Sequence, residues 1–347
     1  MKYTALDLFA GCGGLSTGLR RAGFEIVAAI EFDEWAAKTY KLNHASTKVI
    51  VKDIREVDPS AIRELLAGRE LDLLAGCPPC QGFSSIRRLN KGRSVRDPRN
   101  KLILEYLRFV KALTPRAILL ENVAWLQSYY LFDHLVAELT EIGYCLDYEV
   151  VNAKHYGVPQ NRKRLVLVGS REGEITIAPP IDSRRTVRDA IGALPSTSNS
   201  SDPIHKIFPR HSDGIMELIS LVPKDGGSRK DLPEQYTLEC HKATGVGFND
   251  IYGRLSWNSV SGTITGGCLN PSKGRFLHPS ENRCITAREA ALLQSFPAKF
   301  KFPDGITKDR IALLIGNAFP PRLSYYQGKA IKKLLSNRIL GISGTAK

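Results

Sequence analysis

The chain reads as a doubly wound, mostly parallel α/β sheet joined to a second, smaller and irregular domain. Three observations carry this expectation. Short apolar runs alternate with helix-spaced segments through the first half of the chain. Polar residues of chemical use gather just past the ends of those runs, and the alternation stops near Ser183. Alternating strands and helices argue for a parallel sheet covered on both faces. The 347 residues leave room for two domains of about 150 residues each. Such a chain buries enough apolar surface to fold without disulfides or metals.

In chain order, strands are predicted at 5–9, 26–30, 49–51, 71–75, 117–120 and 165–168, with helical spacing over 33–42 and 102–113. Beyond Ser183 come a polar tract at 196–201 and Gly-rich turns at 224–227 and 266–267, without clear alternation. Helical patterning returns at 286–294 and 323–335, and there are no internal repeats.

Composition narrows the function. The formal net charge is +14, with 49 Lys+Arg against 35 Asp+Glu. Residues 84–101 alone carry +6 and residues 281–347 carry +8, so the basic excess is local. Concentration in a Gly-containing stretch favours an element that faces phosphate over a merely solvated surface. No apolar run reaches the roughly 18 residues of a membrane span, and the opening MKYTALDLFAG lacks the shape of an export signal. The seven scattered cysteines are accordingly expected to be reduced thiols in a cytoplasmic protein.

The first predicted strand runs into DLFAGCGGLSTGL, residues 7–19. A strand feeding a glycine turn and then a helix aims backbone N–H groups at a ligand. Gly11 and Gly13 match the dinucleotide fingerprint, whereas Ser16 replaces its third glycine. Glu31 ends the second strand 20 residues after Gly11, where an acid reads a ribose diol. Asp53, after the third strand, could accept from an adenine amino group. Together these residues favour an adenosine-type cofactor.

The fourth strand ends in GCPPCQGFS, residues 76–84. Zinc is disfavoured because no second pair of ligands has the right spacing. A redox dithiol of Cys77 and Cys80 leaves the glycine turn and the acids without a purpose. The third reading is a single nucleophilic thiolate, Cys80, at the edge of the ligand crevice. Glu121 of Glu121-Asn122-Val123 ends the fifth strand and suits a general acid. In QNRKR, residues 160–164, Arg162 and Arg164 alternate along an extended segment and could grip a phosphate or a base edge.

DLFAGCGG, GCPPCQGFS, ENV, QNRKR, RTVRDAIGALP (185–195) and GNAFPP (316–321) occur in the order and approximate spacing of the cytosine-C5 DNA methyltransferases, and the chain resembles that family over nearly its whole length. The resemblance implies an S-adenosylmethionine-dependent methyltransferase fold, with a catalytic and cofactor domain at 1–185 plus 305–347 and a target-recognition domain at 186–304. It implies S-adenosylmethionine lined by Phe9, Ala10, Gly11, Gly13, Gly14, Glu31, Phe32, Asp53, Ile54, Pro79, Leu102, Asn317 and Ala318. Catalysis would fall to Cys80, Glu121, Arg162 and Arg164, and duplex DNA would be met by Gln81, Ser84, Arg87, Arg88 and Arg93, with 84–101 as a lid. One departure is Cys77, where many members carry Gly or Phe. The target cytosine would leave the duplex stack for modification. A cognate restriction endonuclease acting on the same site is the implied partner, no metal or membrane is expected, and the enzyme would act as a monomer. An RNA (tRNA) cytosine methyltransferase on the same scaffold is the alternative.

Overall fold

A computed structural model describes residues 2–79, 101–236 and 250–339, with side chains to residue 337. The chain falls into two compact units, Met1–Asn152 with Lys163–Ile181 and Phe319–Lys347, and Ala153–Arg162 with Asp182–Ala318.

The first unit is built on a seven-stranded sheet. Its strands are β1 (Tyr3–Leu8), β2 (Phe24–Ile30), β3 (Lys48–Ile50), β4 (Leu73–Gly76), β5 (Ala117–Val123), β6 (Cys145–Asn152) and β7 (Lys163–Ser170). They run in the order β3-β2-β1-β4-β5-β7-β6, and β1 to β5 are parallel. The order reverses between β1 and β4, the point at which open α/β sheets bind ligands.

Strand alternation sorts the sheet's two faces. Leu6, Leu8, Leu74, Ile118, Leu120, Leu165 and Leu167 join one apolar core with residues of the Ser60–Leu66, Leu102–Leu113 and Tyr130–Glu141 helices. Asp7, Glu121 and Arg164 alternate with those residues, so they point to the opposite face. The Gly14–Ala22 and Pro321–Ile339 helices pack against each other, and Ser324 Oγ donates to the Leu15 carbonyl at 2.6 Å.

Two expectations change here. The 165–168 run belongs to a strand that is antiparallel to β5. It begins, and does not end, beside the carboxyl end of β5, so Arg164 pairs with Val123 in the ladder. The edge strand β6, also antiparallel to β7, is absent from the sequence prediction. CLDYEVVN nevertheless alternates Leu146, Tyr148 and Val150 with Asp147 and Glu149, the period-2 pattern of an edge strand.

The second unit holds short helices, isolated bridges and turns, including the Asp213–Leu221, Ala287–Leu293 and Lys308–Asn317 helices. A small apolar cluster of Leu218, Ile219, Val222, Tyr252 and Leu277 lies beside the fully buried Arg254. The Arg254 guanidinium donates to the carbonyls of Ile219, Val222, His278 and Glu281 and to Asn282 Oδ1. With no ladder to pair these carbonyls, one buried cation satisfies them. The edges of this unit differ from the 185 and 305 division read from the sequence. Segment 153–162 groups with it through Gln160 and Arg162, and 308–317 through packing on the Ala287–Leu293 helix. Among the described residues no helix is long and apolar enough to cross a membrane.

Candidate active site

The glycine turn leaves β1 through Phe9 at φ 57°, Gly11 at φ 55° and Gly13 at φ 92°. Gly13 is required twice over, since its φ is left-handed and an added Cβ would stand 2.6 Å from His44 Nε2. The turn delivers Gly14 as the first residue of the helix it opens. Glu31, at the end of β2, is buried and accepts from Gly11 N at 2.7 Å with one oxygen and from Asp33 N at 2.8 Å with the other. Burial raises its carboxyl above the usual range, while these amide bonds oppose the rise. The carboxylate is thus aimed at the glycine turn by the backbone itself. Next to it Phe32 is 70% exposed, a ring held out on the surface of this unit.

Beneath the turn lies a buried polar network that the motif comparison missed. Ser16 Oγ donates to Asp7 Oδ2 at 2.6 Å and stands 2.6 Å from Tyr40 Oη. Burial pushes the Asp7 carboxyl up to about 7. Ser16 is therefore no failed third glycine; it is the hydroxyl partner of a buried acid, and Asp7 standing in an apolar strand was the available signal.

Asp53, read as an adenine acceptor, carries a local partner. Its carboxylate accepts from the Arg55 backbone N–H at 3.0 Å and from Arg55 Nε at 2.9 Å and Nη2 at 2.5 Å, and this partner holds it down at about 2. Ile54 beside it is buried, and Leu102 is half-buried at the start of its helix.

At the end of β4, Pro78 is buried and Pro79 half-buried. Asn122 Nδ2 donates to the Pro78 carbonyl at 2.8 Å, and Asn122 Oδ1 accepts from Val123 N at 2.8 Å. Asn122 thereby ties the end of β5 to the turn that leads into Cys80. No role for it was read from the sequence, because the signal lies in a cross-strand bond. Cys80, Gln81, Ser84, Arg87, Arg88 and Arg93 lie outside the described residues, as does the rest of 80–100.

Glu121 and Arg164 meet on one face of the β5/β7 pair, Arg164 Nε standing 2.9 Å from Glu121 Oε1. The register explains the meeting: Arg164 opposes Val123 and Glu121 opposes Val166, so the two are diagonal neighbours on the same face. Both are largely buried, with side-chain exposures of 16% and 7%. Burial lowers the Arg164 guanidinium from its usual value, and the Glu121 carboxylate and Cys77 counter it. Cys77 borders this pair. Burial and then the Glu121 charge push its thiol well above the ordinary value, so it stays protonated at neutral pH and is a poor nucleophile.

Arg162 has a different environment from Arg164. It is 1% exposed, and its guanidinium donates to the carbonyls of Ile264, Gly316 and Ala318. The expected grip on a phosphate or base is replaced by a grip on backbone, because the Gly316 and Ala318 carbonyls sit at the end of the Lys308–Asn317 helix, where intrahelical donors run out. Asn317 is exposed and Ala318 half-buried in this second unit.

Residues 3–333 match the family model for C-5 cytosine-specific DNA methylases. The chain is 36% identical to the type II methylase M.HgiDII of Herpetosiphon aurantiacus, covering 96% of both chains. It is 34% identical to the type II methyltransferase M1.HphI of Haemophilus parahaemolyticus, over 97% of this chain and 88% of that one. Among solved structures it resembles one described as a prophage-encoded DNA modification methyltransferase of E. coli, at TM-score 0.73 and 25% identity over 96% of this chain and 99% of that one. The Entamoeba histolytica methyltransferase EhMeth shares the fold at TM-score 0.69 and 17% identity, over 96% and 99%. With the family model spanning almost the whole chain and the relatives matched end to end, the chain belongs to the C-5 cytosine-specific DNA methylases and is a DNA (cytosine-5)-methyltransferase.

Proposed function

We propose that the protein extracts a cytosine from a specific duplex sequence, adds Cys80 to C6 and methylates C5, protecting host DNA from a cognate restriction endonuclease. The observation that carries this reading is the buried Glu121–Arg164 pair at 2.9 Å beside the β4 turn that leads to Cys80. Cytosine C5 is a poor nucleophile, so the ring needs a temporary bond at C6. The Cys80 thiolate forms that bond and leaves again when the C5 proton is lost. Glu121 holds a proton at N3 while the ring carries the added electron pair, and Arg164 orients Glu121 and binds the base near O2. The high, protonated Cys77 thiol takes no part.

The family implies S-adenosylmethionine, and the residues present fit it. Glu31, buried and fixed by the Gly11 and Asp33 amides, is the acceptor a ribose diol needs. When bound, S-adenosylmethionine supplies the electrophilic methyl group. Phe9, Ala10, Gly11, Gly13 and Gly14 would hold it from the turn, Glu31 and Phe32 from the end of β2, and Ile54, Pro79 and Leu102 from neighbouring segments; Asn317 and Ala318 are the further contacts that the family resemblance implies. Asp53 would reach the adenine amino group only beside its Arg55 partner. Gln81, Ser84, Arg87, Arg88 and Arg93 would meet the duplex.

Transfer of label from methyl-tritiated S-adenosylmethionine to duplex DNA and to tRNA tests the reading. Label in duplex DNA with wild type and none with Cys80→Ala supports it. Label in tRNA alone, or equal activity in Cys80→Ala, overturns it.

A further inference from the structure

The Lys308–Asn317 helix ends in a fully buried polar clamp that no catalytic step uses. A helix leaves its last carbonyls without intrahelical partners, and burying them unpaired is costly. Here two side chains from distant segments take them. Gln294 Nε2 donates to Ile315 O at 3.0 Å and to Ala318 O at 2.8 Å. Arg162 Nη2 donates to Gly316 O at 2.9 Å and to Ala318 O at 3.2 Å, while Nη1 donates to Ile264 O at 3.0 Å. A cation at this helix end is also favoured by the helix dipole. Gln160 completes the clamp: its Nε2 donates to Gln294 Oε1, and its Oε1 accepts from Ile264 N at 2.8 Å. Gly316 allows the helix end to sit against residues 265 and 266, since an added Cβ would lie 2.1 Å from Thr265 C.

The outcome is asymmetric. Gln160, Arg162, Gln294 and Gly316 are buried, yet Asn317, between the clamped Gly316 and Ala318, is exposed. Ala318 leaves the helix in extended conformation at φ −66° and ψ 143°. A rigid backbone thus presents one polar side chain outward. We infer that Arg162 and Gln294 are positioning residues that hold the Asn317-Ala318 turn in the geometry that binds the cofactor, and that Arg162 touches neither the base nor the DNA. The inference rests on the proposed S-adenosylmethionine role of Asn317 and Ala318.

The test uses the full-length protein with Arg162→Lys, which keeps the charge but cannot span three carbonyls, and Gln294→Glu, which keeps the size but removes the donor. S-adenosylmethionine affinity is measured by calorimetry without DNA, duplex affinity without cofactor, and hydrogen exchange over 314–319 without either. Both variants should weaken S-adenosylmethionine at least 10-fold, raise its KM more than they lower kcat, and speed exchange over 314–319, with duplex affinity within about 2-fold of wild type. Unchanged cofactor affinity in both variants overturns the inference, as does a loss confined to duplex affinity. If the wild type binds no S-adenosylmethionine, the cofactor reading fails instead. Unchanged exchange in that case would also sink the clamp. Should Arg162→Lys fail to fold, Gln294→Glu alone decides between these outcomes.

Discussion

The two units solve one problem, the pairing of buried backbone, by opposite means. In the first, the sheet ladders pair the backbone, so Glu31, Glu121 and Arg164 at the strand ends are free for the roles proposed for them. Among the described residues of the second there are only isolated bridges, and arginine side chains pair the carbonyls. Arg254 serves four carbonyls and Arg162 three. Arg108 and Arg171 of the first unit also pair loop carbonyls, so the contrast is sharpest between Arg164, chemical in the proposed mechanism, and Arg162, architectural two residues away. Residue type alone does not separate them; the availability of a ladder partner does.

The largest expected effect breaks the architectural side of this comparison. Arg254→Met removes the side-chain donor from the Ile219, Val222 and His278 carbonyls, while Glu281 O keeps the Arg283 amide; the loss costs about 3–5 kcal/mol after partial relaxation. Urea unfolding should show that loss, with Arg254→Lys rescuing little because one ammonium cannot reach the spread of acceptors. A loss under 1 kcal/mol for Arg254→Met would show that the second unit does not depend on its arginines.

A smaller effect probes the polar network of the first unit. Asp7 titrates higher when folded, about 7, than when unfolded, about 3.8. Its contribution to stability is therefore complete below about pH 4 and is lost as the pH rises through 7. Wild type should lose roughly 2–4 kcal/mol relative to Asp7→Asn between pH 4 and pH 7, read from paired unfolding curves. Curves that stay parallel across that range would mean Asp7 is ionised in the fold.

Smaller still is the effect at the ligand rim. Glu31→Ala should weaken S-adenosylmethionine by about 1.5–3 kcal/mol in titration calorimetry, the value of a charge-assisted hydrogen-bond pair. Duplex affinity without cofactor should not move. Unchanged cofactor affinity would remove Glu31 from the ribose role.

The same contrast explains what could be read from the sequence. The strands β1 to β5 were legible because buried parallel strands are continuous apolar runs, and the ends of those runs pointed to Glu31 and Glu121. The edge strand β6 was missed because its apolar residues alternate with Asp147 and Glu149 and form no run. The direction of β7 has no local signature, so the route by which Arg164 reaches Glu121 emerged only from the register. Asn122, Ser16 and the Arg162 clamp act through partners up to 156 residues away, a separation no local pattern encodes. The irregular character of the second unit was visible in its turn-rich composition, but its arginine-centred packing was not, since a buried arginine and a surface one are written with the same letter.

The central claim is that Cys80 forms a bond to cytosine while Glu121 and Arg164 manage the ring. A duplex carrying 5-fluorocytosine at the target tests it most directly, because fluorine cannot leave C5 as a cation and the bond to C6 persists. With S-adenosylmethionine present, wild type and Cys77→Ala should each give a covalent protein–DNA adduct that survives denaturation, and Cys80→Ala should give none. An active wild-type preparation that forms no adduct, or an adduct that depends on Cys77, would contradict the account.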